Sequence, residues 1–79
     1  AQGNSVCGPR DKFLTHLGDN HKEQPTARGV TASGRMIEVL TSESGTWSII
    51  ITQPNGVACM MSAGEAWEDV EVKPMGPGA

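Results

Sequence analysis

Two cysteines, two histidines, four methionines and a run of carboxylates are the residues of this 79-residue chain whose types could bind a metal, carry a thiol or move a proton. His16 and His21 lie five apart, off the three- or four-residue spacing that brings two ligands together on a helix, and no second ligand pair stands near them. Both read as surface residues, and no metal site is expected. Met36, Met60, Met61 and Met75 carry thioethers that suit Cu(I), but they are scattered, so core filling and an adaptable contact surface explain them better. Glu65, Glu68, Asp69 and Glu71 could in principle supply an acid-base pair, which glycoside hydrolysis needs at a defined separation. They read as a solvated acidic segment that could steer a basic partner at low salt. The serines and threonines sit in neither a G-x-S-x-G elbow nor a Ser-x-x-Lys arrangement, and no glycine-rich loop precedes a helix to cradle phosphate. No catalytic residue and no cofactor is expected from these patterns.

Cys7 and Cys59 are an even pair in a short chain, without the C-x-x-C spacing of a redox site or enough partners for zinc. They read as one disulfide, which would stabilise the fold by about 4 kcal/mol in the chain-entropy model. Two reduced thiols in a cytosolic protein are the alternative. A staple matters here because a chain this short builds only a modest core. The formal net charge is -3 and the six Lys and Arg residues are scattered, so nucleic acid is not an expected partner. No apolar run approaches the roughly 18 residues of a membrane span. The start at Ala1 without a methionine fits a mature chain after removal of a signal peptide, as it would fit a trimmed one.

The elements that must position these residues form a single α+β domain over residues 7–72, between a flexible arm at 1–6 and a Pro/Gly tail at 73–79. A helix begins just after Cys7: Pro9 suits its first position, Asp11 its first turn, and Phe13, Leu14 and Leu17 share one face. Gly18 is a candidate stop, Pro25 ends any continuation, and residues 26–34 form a connection. From Arg35 onward the pattern becomes a three-stranded antiparallel meander, with SESG and QPNG as turns that place a glycine at the fourth position. Those turns set a register in which Ile51 faces Cys59, Ile49 faces Met61, Trp47 faces Ala63, Val39 faces Ile49 and Ile37 faces Ile51. One sheet face then collects Ile37, Val39, Trp47, Ile49, Ile51, Val57, Cys59 and Met61. This face is expected to meet the helix and, with Phe13, Leu14 and Leu17, to form the core, because Cys59 points there and Cys7 opens the helix. The opposite face carries Met36, Leu40, Ile50, Ala58 and Met60 beside Glu38, more apolar than a solvated face needs, and is the expected interface. A second copy, another protein, or residues 66–75 folding back with Trp67 would cover it. Glu65, Trp67 and Glu68 fit one helical turn, with Trp67 read as core.

Cys7-Gly8-Pro9-Arg10, followed by Glu38-Val39, Gly45-Thr46-Trp47, Thr52, Pro54, Gly56, Cys59, Gly64 and Trp67, resembles a group of small uncharacterised secreted proteins of alphaproteobacteria, some of them phage-borne. The resemblance spans residues 7–67 and implies an exported chain with paired cysteines; it implies no activity. This sequence departs from the group at the helix end, with His21-Lys22-Glu23 where an aromatic residue and Gly-Glu are expected. Together these features lead to a small exported interaction module, periplasmic or secreted, that binds a protein partner or itself through the outer sheet face. A small envelope-acting enzyme or enzyme inhibitor is the alternative and would need a pocket lined by Arg10, His21 and the carboxylates of residues 65–69. A phage-encoded structural or accessory protein is a third reading, which a symmetric oligomer would support.

Overall fold

The computed structural model describes residues 6–71, so the expected tail and all but the last residue of the expected arm lie outside the described residues. It contains β1 (Cys7–Pro9), α1 (Arg10–His21), β2 (Gln24–Val30), β3 (Met36–Thr41), β4 (Trp47–Thr52) and β5 (Val57–Gly64). The strands form one five-stranded antiparallel sheet in the order β1-β5-β4-β3-β2, which replaces the expected three-stranded meander. Both additional strands are edges. β1 is only three residues long and includes Gly8 and Pro9, while β2 contains Pro25 and Gly29 and exposes all seven of its residues. Neither shows the apolar alternation by which a half-buried strand is read from sequence. Pro25 and the register shift between Pro25 and Ala27 also blunt the β2 edge against pairing with another chain.

α1 joins the two outermost strands and crosses the three between them. Twelve residues at 1.5 Å each rise about 18 Å, and four interstrand gaps of about 4.8 Å come to about 19 Å, so the helix is as long as the sheet is wide. Its start is tied to the β4–β5 turn by the Arg10 amide donating to the Gly56 carbonyl at 3.1 Å. The helix runs through Gly18 and ends at His21, where Lys22 takes a left-handed conformation (φ 56°) and the Glu23 amide donates to the Leu17 carbonyl at 3.1 Å.

Three turns of one kind connect β2 through β5. In each, the amide of a glycine at the fourth position donates back to the first residue: Gly34 to Thr31, Gly45 to Ser42 and Gly56 to Gln53. The glycines have φ of 88°, 96° and 91°, left-handed values that residues with a Cβ rarely adopt. The β3–β4 register is the one the turns predict, with Val39 opposite Ile49 and Ile37 opposite Ile51. Between β4 and β5 it holds from Thr52 to Ile50 and then shifts: Ile49 faces Ser62 rather than Met61, and Trp47 faces Gly64 rather than Ala63. Met61 is the extra residue of a bulge and is exposed. The shift brings Gly64 under the Trp47 indole, where a Cβ would lie 2.9 Å from a ring carbon.

The helix lies on the opposite face from the one expected. Leu17, Leu40, Ile50 and Ala58 form the buried core, with Phe13, Leu14 and Met60 packed against it. The helical residues are thus core as expected, but Leu40, Ile50, Ala58 and Met60 lie beneath the helix instead of forming an interface, and Met36 shares their side of the sheet by strand alternation. Ile37, Val39, Trp47, Ile49 and Ile51 occupy the other face and are half-buried, while Val57 and Met61 are exposed. The cause is the position of Cys7. Cys7 and Cys59 are joined, as expected, but as direct cross-strand partners in β1 and β5 rather than as a helix-to-sheet link. The chain turns onto the opposite face only after Pro9, so the disulfide does not mark the helix side.

Candidate functional site

On the covered face, the most polar arrangement is built around Glu38, which is 0% exposed at the middle of β3. Arg10, the first helical residue, grips it with two hydrogen bonds, Nε to Oε1 at 2.7 Å and Nη2 to Oε2 at 2.8 Å. Arg28, the β2 partner of Glu38 in the register, places Nη2 3.2 Å from Oε2. The bonds from Arg10, against the opposing effect of burial, hold the Glu38 carboxyl below the usual glutamate range, and they raise the Arg10 guanidinium above its ordinary value. A carboxylate whose oxygens already meet two guanidinium groups is poorly placed to accept a proton from a substrate. The cluster pins the helix start to the sheet centre.

A second polar group surrounds a cleft of about 530 Å³ between the C-terminal half of α1 and the ends of β4 and β5. His16, His21, Glu23 and Glu65 line it, together with Ser48 and the apolar Leu17 and Met60. Here His21 and Glu65 come together, as the enzyme alternative requires, whereas Arg10 sits at the other end of the helix on Glu38. The imidazoles are exposed and meet edge to face at 6.0 Å, and Asn20 Nδ2 lies 3.1 Å from His16 Nδ1. Among the described residues no group of three or more His, Cys, Asp or Glu could hold a metal ion. Glu23 is a residue that sequence reasoning passed over. It is only 6% exposed, and its Oε1 has no hydrogen-bond partner among the described residues. The left-handed Lys22 turns the chain so that the residue following it, Glu23, is buried, a signal absent from composition or periodicity.

The open face of the sheet is the third candidate. Val39 and Ile49 are cross-strand partners, as are Ile37 and Ile51, and the Cys7–Cys59 disulfide continues the row beyond Ile51. Trp47 closes one end, its Nε1 donating to the Glu65 carbonyl at 3.1 Å and its ring 5.8 Å from that of Trp67. The Trp67 amide donates to the Gly45 carbonyl at 2.9 Å, with Ala66 left-handed at φ 62°, so this segment folds back as a loop and not as the expected helical turn. No described helix or other strand packs on the central part of this face. None of the strand residues that alternate onto it carries a charge, whereas the covered face holds Glu38 and Arg28.

No family model, characterised protein or solved structure matches the chain. Most residues of the CGPR-to-Trp67 pattern have an architectural part. Cys7 and Cys59 form the disulfide, Arg10 and Glu38 the buried ion pair, and Gly45 and Gly56 the left-handed turn positions. Gly64 accommodates the Trp47 ring, and Trp67 packs on it. A disulfide fits a protein that works outside the reducing cytoplasm, and no helix among the described residues is long and apolar enough to cross a membrane.

Proposed function

We propose that this chain is a small, disulfide-stapled interaction module, periplasmic or secreted, that pairs with a second copy of itself through the open face of its sheet. The carrying observation is the inverted distribution of polarity: the face without a described covering element presents Ile37, Val39, Ile49 and Ile51, and the face under the helix holds Glu38, Ser48 and Thr52. Uncovered β-branched rows of this kind mark contact surfaces. A second copy suits the face because it is charge-free: two molecules of net charge -3 can bring it together without opposing like charges directly. Sheets stack face to face about 10 Å apart, which lets aliphatic rows interdigitate about a two-fold axis.

Five strands at about 4.8 Å and six residues at about 3.4 Å give a face of roughly 500 Å², or about 1,000 Å² in a pair, at the small end of specific interfaces. The association is therefore weak and concentration-dependent. Sedimentation equilibrium over a wide concentration range should show a monomer–dimer equilibrium, and Ile49→Lys should hold the protein monomeric while leaving its circular dichroism and melting unchanged. A wild-type chain that stays monomeric at the highest concentrations, or an Ile49→Lys chain that still dimerises, overturns the reading.

A further inference from the structure

We propose that the cleft beside the helix C-terminus is a binding site for a primary alkylammonium group, with Glu23 receiving the ammonium. This site is on the helix side of the sheet and does not depend on self-association through the open face. Glu23 is more than nine-tenths buried, lines the cleft, and leaves Oε1 without a partner among the described residues. A carboxylate oxygen buried without a hydrogen-bond donor is costly, so the site favours a cationic donor able to reach it. The surroundings add to that preference. No lysine or arginine lines the cleft, and Glu65 lines it beside Glu23. The helix ends at His21, so the negative end of the helix dipole lies nearby, although Lys22 Nζ already meets the Asp19 carbonyl at 3.5 Å and Thr46 Oγ1 the His21 carbonyl at 3.5 Å.

The described residues offer no three-ligand metal group, which points to an organic cation. Leu17, Met60 and Ala63 supply an apolar wall, so the matching chemistry is an aliphatic stem with a charged tip, as in a lysine side chain or a free aliphatic amine. A charge-assisted hydrogen bond to a buried carboxylate would orient the tip while the stem displaces water from the wall.

Amide chemical shifts of isotope-labelled full-length protein should be followed during titration with n-butylammonium and, separately, with a blocked lysine, Nα-acetyl-lysine methylamide. The neutral controls are n-butanol and the same blocked lysine acetylated on its side chain. Saturable shifts at Leu17, Ser48 and Ala63 are expected with at least one of the two amines and with neither control. Response to the blocked lysine alone identifies a peptide side chain as the source, and response to butylammonium alone identifies a free amine. Glu23→Gln, nearly isosteric, should weaken binding roughly tenfold or more. If that variant does not fold, Ala63→Leu narrows the cleft with Glu23 intact and should likewise abolish the shifts. The assignment is overturned if neither amine gives saturable shifts, if n-butanol gives the same shifts, or if folded Glu23→Gln binds as wild type does.

Discussion

Removing one partner from a buried ion pair leaves the other charge uncompensated, which costs about 3–5 kcal/mol where the pair is well desolvated. Glu38 is fully buried, but Arg10 is about a third exposed and Arg28 more than half, so water screens the charges that Glu38→Gln leaves behind. The loss is expected below that range, at about 1–3 kcal/mol, read as a shift of the urea midpoint at neutral pH. The pH dependence follows from the same bonds. Because Arg10 holds the folded-state carboxyl below its ordinary value, the contribution of Glu38 is fully present above the usual glutamate range and is lost as pH falls through the folded-state value. Wild type and Glu38→Gln should therefore converge in stability in acid, and a constant gap between their urea midpoints from neutral to strongly acidic pH would contradict the assignment. From the sequence, Glu38 is legible only as a charge among apolar neighbours. Its partner Arg10 lies 28 positions away, and Arg28 falls in a segment without strand periodicity.

Among the elements, α1 has one strained position. Lys22 holds φ 56° immediately after the helix, where a side chain with a Cβ is disfavoured and glycine is at ease. Lys22→Gly should stabilise the protein by about 0.5–1 kcal/mol and raise the melting midpoint by a few degrees. An unchanged or lower midpoint would mean that the lysine side chain contributes more than its backbone costs. The hairpins show how far local chemistry carries. SESG and QPNG predict both turns and the register next to them, because a glycine at the fourth position fixes the geometry. TASG, residues 31–34, has the same form, and the same rule would have set Arg28 opposite Glu38; the absence of alternation in β2 hid it. The bulge at Met61 was not legible, since it answers to the fit of Gly64 under Trp47 and not to any local preference.

At the scale of the molecule, the pairing of Cys7 with Cys59 was legible and its geometric meaning was not. Parity separates the two sheet faces correctly except in β5 beyond Met60, where the bulge shifts the register. Which of them the helix covers, however, depends on whether the first cysteine belongs to the helix or to a strand before it, and three residues of β1 decide that. Taking Cys7 as the start of the helix assigns the face that Cys59 shares to the core, and that face is also the more aliphatic; here the covered face includes Glu38, Ser48 and Thr52, and the aliphatic rows are left open. Replacing both cysteines with serine should lower the unfolding free energy by about 4 kcal/mol, measured by denaturant titration against the oxidised chain. Loss of less than about 1 kcal/mol would show that β1 is held mainly by its pairing with β5.

All three hairpin turns fall between Cys7 and Cys59. A protease that severs any one of them therefore yields two peptides that remain a single covalent molecule until a reductant separates them. Outside the cell, where such cuts are common and reductants scarce, a nicked copy would keep its fragments in register and could go on working.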